Sequence, residues 1–201
     1  ILVGGGVHIA GAEAVLTQFA EKMNIPVITT IMGKGSIPTD HPLYVGNIGM
    51  YGNYASNMAI SECDVLLAIG VRFSDRITGT IEDFAQNAQI IHIDIDAAEV
   101  DKIVSTNVSI VADVESVFSV LAQLVSEKKI CANAKWLKEI QELMKKTDSL
   151  ECGRLENSCI NPRTWINDVP SLAEKAGIDP DGISVTTDVG QHQMWAAQYY
   201  P

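Results

Sequence analysis

Apolar residues along this chain come in blocks of two kinds. Some are continuous: Ile1 to Val3, Pro26 to Thr30, Val65 to Gly70, Ile90 to Asp96 and Val108 to Val111. Others recur at three- and four-residue spacing, as do Val15, Leu16, Phe19 and Met23 within Ala12 to Met23, and Val117, Val120, Leu121, Leu124 and Val125 within Val114 to Val125. The first kind predicts short strands covered on both faces; the second predicts amphipathic helices. A further helix is expected from Ala55 to about Glu62. The stretch Ile37 to Tyr54, broken by Pro38, Pro42, Gly46, Gly49 and Gly52, reads as loop. Strands and helices that alternate in this way predict an α/β fold, a doubly wound, mostly parallel, Rossmann-like sheet.

The pattern changes at Lys128. Lys135 to Lys146 is amphipathic, with Trp136, Leu137, Ile140, Leu143 and Met144 on one face, and Thr147 to Ser158 is mostly polar. Asn161-Pro162 opens a helix toward Ala173. Ile183 to Asp188 reads as a strand that turns at Val189-Gly190 into a helix beginning at Gln191. The expected organisation is an α/β domain over 1–127, a helical linker or extension over 128–180, and the truncated start of another domain over 181–201. The chain opens on Ile1 within a strand-like run and stops at Tyr199-Tyr200-Pro201, so both ends read as cut from something longer.

Composition narrows the partners. With 201 residues, 47% hydrophobic and 19% charged, the chain has ample material for a core. A net charge of −11, with basic residues no more clustered than the pairs Lys128-Lys129 and Lys145-Lys146, excludes nucleic acid as a partner. No apolar run approaches the roughly 18 residues of a membrane span. The four cysteines at 63, 131, 152 and 159 lack metal or redox spacing. Free thiols and a cytoplasmic setting are expected, a Cys152–Cys159 disulfide being the alternative. The four histidines are scattered and define no metal site.

Charge and glycine gather where strands end. Gly4-Gly5-Gly6 follows the first strand and suits either close approach to a phosphate or a plain tight turn. Thr30-Ile31-Met32-Gly33 follows the second; at a carboxyl end it faces ligand space, although Met32 also suits a core. Gly70-Val71-Arg72-Phe73-Ser74-Asp75-Arg76 follows a wholly apolar strand. Its arginines suit a diphosphate, the alternative being an internal Arg–Asp ion pair. In His92-Ile93-Asp94-Ile95-Asp96, Asp94 is a candidate acceptor for ribose hydroxyls and Asp96 a helix cap with Glu99 three residues on. Asp113 admits both roles. Together these clusters ring one edge of a sheet and point to an adenine-dinucleotide site, without choosing between FAD and NAD. No nucleophile–base pair, paired acids or metal cluster is legible, so binding rather than catalysis is expected of these residues. His8 and His41 read as surface or packing residues.

These runs, with Gly49-Met50-Tyr51-Gly52, Ile77-Thr78-Gly79 and Val189-Gly190-Gln191-His192-Gln193-Met194-Trp195-Ala196-Ala197-Gln198, resemble in order and spacing the catalytic subunit of the acetolactate synthase (acetohydroxyacid synthase) family. The likeness is weakest between Lys128 and Asp179. It implies a central domain along which FAD lies, its diphosphate and ribityl parts near Gly5, Gly6, Thr30, Met32, Gly70 and Arg72. Gly49, Arg76, Asp94 and Asp113 would contribute, with Ile31, Met50, Asp75 and Ile95 completing the set. It further implies that Val189, Gly190, Gln191 and His192 touch the phosphates of thiamine diphosphate. Ser74 departs from the family, which more usually has an acid there.

The activating glutamate and the magnesium-holding Gly-Asp-Gly…Asn segment of that family match nothing in this sequence. The resemblance therefore implies a piece that is not itself competent, from an enzyme that joins two pyruvates, or pyruvate and 2-ketobutyrate, with loss of CO2. Such an enzyme serves branched-chain amino acid biosynthesis as a homo-oligomer, often with a regulatory subunit. Another thiamine-diphosphate carboligase, decarboxylase or pyruvate oxidase is the nearest alternative, and a stand-alone nucleotide- or flavin-binding module the more distant one.

Overall fold

The computed structural model describes residues 1–126, 134–151 and 160–201. The chain separates into two units, Ile1–Thr147 and Asp148–Pro201. In the first, six strands form one sheet: β1 (Leu2–Val3), β2 (Val27–Thr29), β3 (Tyr44–Asn47), β4 (Val65–Ile69), β5 (Gln89–Asp94) and β6 (Val108–Val111). Their order is β3-β2-β1-β4-β5-β6, and every neighbouring pair is parallel. The expected doubly wound α/β sheet is present.

Side-chain alternation divides the core between the two faces of the sheet. Leu2, Ile28, Leu66, Ala68 and Ile90 join one cluster, which is covered by Ala55, Ala59 and Ile60 of α3 (Tyr54–Glu62) and by Ile140 of α6 (Ala134–Glu151). Val3, Val27, Ile69 and Ile93 join the other, under Leu16, Phe19 and Ala20 of α2 (Glu13–Met23) and Phe118 of α5 (Val114–Ser126). Phe19 and Phe118 meet edge to face with centroids 5.2 Å apart, which locks α2 against α5. The boundary between the units falls inside α6, whose buried Ile140 belongs to the first.

Three local expectations differ from the structure. The stretch Ile37 to Tyr54 is not all loop, since Tyr44–Asn47 forms the edge strand β3. Gly46 sits there at φ +134°, beside a register shift between Val27 and Ile28, and the Asn53 amide occupies the space a Cβ would need. An edge strand tolerates such a break because only one neighbour must match it. Second, no helix follows Asp96: its carboxylate accepts from the Ala98 N–H at 2.9 Å and closes a turn, while Glu99 pairs with Lys102 at 2.7 Å.

Third, Ile183 to Asp188 forms no strand and lies in no sheet among the described residues. A strand needs a partner ladder, and none is at hand among the described residues of this unit. The second unit is built instead from α7 (Pro162–Lys175), capped by the Asn161 side chain, and α8 (Gln191–Tyr199). The Arg163 guanidinium lies 5.4 Å from the Tyr199 ring centroid. Cys63 is a free thiol. The Cys152–Cys159 alternative lies outside the described residues.

Candidate functional site

Register brings the strand ends level. Val3 pairs with Thr29 and Ile69, Ile69 with Ile93, and Ile93 with Ile110, so these residues form one row across the sheet. The next row is Thr30, Gly4, Gly70, Asp94 and Val111. The ladder runs on for one more bond at each turn: Gly4 N–H donates to Ile69 O at 2.9 Å, Thr30 N–H to Val3 O at 2.8 Å, and Gly70 N–H to Ile93 O at 2.8 Å. Gly5, Thr30, Gly70, Arg72 and Asp94 therefore leave the sheet at one rim. Strand order reverses between β1 and β4, and it is there, outside the carboxyl ends, that open α/β sheets hold ligands.

At that reversal two backbones touch. The turn from β1 into α1 (Gly6–Ile9) lies against the turn leaving β4, with Gly6 N–H donating to Gly70 O at 3.2 Å. A Cβ on Gly6 would fall 2.7 Å from Gly70 Cα, and one on Gly4 would fall on the Gly70 carbonyl oxygen. Gly70 itself has φ +56°, which favours glycine. Glycine is thus required here for backbone approach, and the result is a low rim with no side chains between β1 and β4. The turn after β2 completes it: the Thr30 hydroxyl caps Gly33 N–H at 3.2 Å, and Met32 stands beside Gly5. Met32 is 70% exposed, so it does not serve as core filler.

The arginines stand without acids. Asp75 begins the short helix α4 (Asp75–Thr78), but neither Arg72 nor Arg76 forms an ion pair among the described residues. Arg76 reaches only the Met50 sulfur, at 3.9 Å, and its carbonyl accepts from Met50 N–H at 2.9 Å. In a chain of net charge −11, two exposed guanidiniums with no acidic partner among the described residues, in the segment that follows one strand, mark a place for an external anion. Lys34, just past the β2 turn, adds a half-buried ammonium whose pKa desolvation lowers to about 8.

The acidic candidates separate. Asp94 is 8% exposed; its Oδ1 accepts from Asp96 N–H at 2.9 Å, and Oδ2 lies 3.9 Å from His92 Nε2. Asp113 caps α5 by accepting from Ser116 N–H at 3.2 Å. Ile95, at 71% exposure, and Ile31 stand out from the rim. The Gly49-Met50 turn borders a cleft of about 290 Å³, also lined by Asn57, Ile77, Thr80 and Asp83. Val189, Gly190, Gln191 and His192 belong to the second unit, where Gly190 O accepts from Gln193 N–H as α8 begins.

Two positioning features were not legible beforehand. Asn57 grips Gly49 at both ends, accepting from its N–H at 3.0 Å and donating to its carbonyl at 3.1 Å. Gly49 has φ +105°, and Arg76 O would block any Cβ there. The Asn-x-x-Ser spacing of Asn53, which caps Ser56 N–H at 2.9 Å, was the available signal for the start of this helix. His8, for which the sequence suggests a surface or packing role, is exposed. It joins Glu13 at 2.8 Å, Lys34 O at 3.0 Å and Ser36 Oγ at 3.2 Å, and so ties α1 to the β2 turn. A backbone hydrogen bond, and after it the bond from His8, holds the Glu13 carboxyl below its ordinary range.

Comparison with known proteins shows the family to which this sheet belongs. A family model described as thiamine pyrophosphate enzyme, central domain, matches residues 1–124. A probable acetolactate synthase large subunit of Methanocaldococcus jannaschii is 44% identical over all of this chain and 34% of its own length. The acetolactate synthase large subunits of Cyanidium caldarium and Lactococcus lactis are 40% and 38% identical over 99% and 100% of the chain. The chain spans about a third of the length of these curated relatives. A strand order that places the glycine turns and the unpaired arginines on one rim thus coincides with a match over most of the sheet-bearing unit, and the chain belongs to the thiamine pyrophosphate enzymes, of which it carries the central domain.

Proposed function

We propose that the protein carrying this chain is an acetolactate synthase, and that the rim between β1 and β4 holds the diphosphate of FAD. The observation that carries the flavin reading is the meeting of two glycine turns beside an exposed Arg72 that has no acid of its own. The residues fit the group. Gly5 and Gly6 give backbone access, Arg72 and Arg76 offer bidentate cations, and Asp94 Oδ2 remains as an acceptor for a sugar hydroxyl. Thr30, Ile31, Met32, Gly49, Met50, Gly70, Asp75, Ile95 and Asp113 would border the cofactor. Val189, Gly190, Gln191 and His192 would meet the phosphates of thiamine diphosphate, whose Mg2+ would be held by residues that this sequence does not contain.

Bound thiamine diphosphate supplies the electron sink for decarboxylation and carbon–carbon bond formation. Two pyruvic acids contain the same atoms as one acetolactic acid and one CO2, so the reaction leaves no electrons for a flavin to carry away. The work of this chain is accordingly to bind and orient. Homo-oligomerisation and a regulatory partner belong to the same proposal, since relatives are named large subunits. The test is the purified full-length protein with thiamine diphosphate, Mg2+ and FAD. Acetolactate formed from pyruvate is expected, and release of acetaldehyde or acetyl phosphate instead would overturn the reading.

A further inference from the structure

His92 lies in mid-β5 with its side chain fully buried, on the same face of the sheet as Ile90. Burying an imidazole among Leu66, Ala68 and Phe73 costs free energy unless its nitrogens are satisfied. Only one is. Nε2 donates to Val71 O at 3.0 Å, and Nδ1 has no hydrogen-bond partner among the described residues. A leucine at this position would fill the space without stranding a nitrogen, so what the histidine contributes is its Nε2, bonded to Val71 O and, more distantly, 3.9 Å from Asp94 Oδ2.

That bond acts on the arginine turn. Val71 and Phe73 point into the core, both almost fully buried, while Arg72 between them is exposed. His92 holds both flanks: the Val71 carbonyl by its hydrogen bond, and the Phe73 ring edge to face with centroids 5.0 Å apart. Phe73 is braced in turn by Phe84 at 5.8 Å. Since the Arg72 guanidinium has no partner among the described residues, nothing in its own side chain fixes its direction. The backbone must do so. We propose that His92 is a positioning residue: by clamping Val71 and Phe73 it aims Arg72 over the rim, within reach of a ligand diphosphate. This rests on the flavin-binding reading above and adds a residue that touches no cofactor. A bidentate guanidinium–phosphate pair is direction-dependent, so a loosened turn weakens binding even with the arginine intact.

The experiment titrates FAD into the full-length protein by quenching of flavin fluorescence, and measures amide hydrogen exchange of residues 71–75 without ligand. The variants are His92→Phe, which keeps the ring contact but loses the donor, His92→Gln, which returns a donor at the Nε2 position, and Arg72→Met as reference. His92→Phe should weaken FAD by about tenfold and speed exchange in the turn, while His92→Gln stays within about threefold of the parent. Weakening in Arg72→Met with parent-like binding in His92→Phe leaves the flavin reading standing and overturns this inference. Parent-like binding in Arg72→Met overturns the flavin reading instead, and exchange then decides: an unchanged turn in His92→Phe removes the clamp as well. Equal loss in His92→Gln and His92→Phe also overturns it. Should His92→Phe not fold, His92→Asn, whose amide falls a bond short of Val71, takes its place against His92→Gln.

Discussion

At the scale of single residues, the site is defined by charges that the chain leaves unanswered. Arg72 is exposed and unpaired among the described residues, so removing its charge should leave the fold intact and cost only ligand affinity. Arg72→Met is expected to lower FAD affinity by about 2 kcal/mol, roughly thirtyfold, with a melting temperature within a few degrees of the parent. Calorimetric titration with parallel thermal scans checks both halves. Lys34 behaves differently. Its pKa falls from 10.5 to about 8 on folding because burial disfavours the ammonium. Between those values the unfolded chain binds more protons, so stability contributed here rises as pH climbs from 8 to 10.5, and the penalty is fully present below pH 8. Lys34→Met should therefore stabilise the protein at pH 7 and flatten this part of the pH profile, as measured by urea midpoints. A steeper profile in the variant would contradict the assignment.

Elements explain why some positions admit only glycine and why others were hard to foresee. The β1 and β4 turns approach so closely that a single methyl at Gly4 or Gly6 must displace the other backbone. Gly6→Ala is expected to destabilise the sheet-bearing unit by about 2 kcal/mol or more, and Gly11→Ala, in open space but at φ +62°, by about 1 kcal/mol. Denaturant unfolding of the pair separates crowding from backbone strain. The continuous Val- and Ile-rich runs made β1, β2, β4, β5 and β6 legible; the first four are largely buried, whereas β6, expected to be covered on both faces, is an edge strand that leaves Val108 and Val111 exposed. β3 was hidden for the opposite reason. Pro42 and Gly46 are turn residues in a local reading, and only the pairing with β2 and the Asn53 side chain beside Gly46 makes that segment a strand. The same holds for Asp96, whose capping chemistry was legible although the structure it closes, a turn and not a helix, was not.

For the molecule as a whole, strand order matters most. Any of the clusters at Gly5, Thr30, Arg72 and Asp94 was ambiguous alone; the order β3-β2-β1-β4-β5-β6 puts them on one rim. The clusters were legible in sequence, and so was a common edge, because each follows an apolar run. The contact between the Gly6 and Gly70 backbones was not, since it depends on two turns 64 residues apart meeting across the reversal. Nor did the apolar stripe of α6 reveal which core it joins. Ile140 is buried with the first unit, so Ile140→Ala should destabilise that unit by about 2–5 kcal/mol. Unchanged unfolding would detach the helix from this core.

Recognition of a diphosphate-bearing flavin at this rim through Arg72 can be decided by comparing FAD with riboflavin, which shares the ring and lacks the diphosphate, in equilibrium titrations of the full-length protein and its Arg72→Met variant. A strong preference of the parent for FAD that shrinks at least tenfold in the variant is the predicted result. Equal affinity for the two flavins in the parent, or a preference untouched by the loss of Arg72, would contradict it.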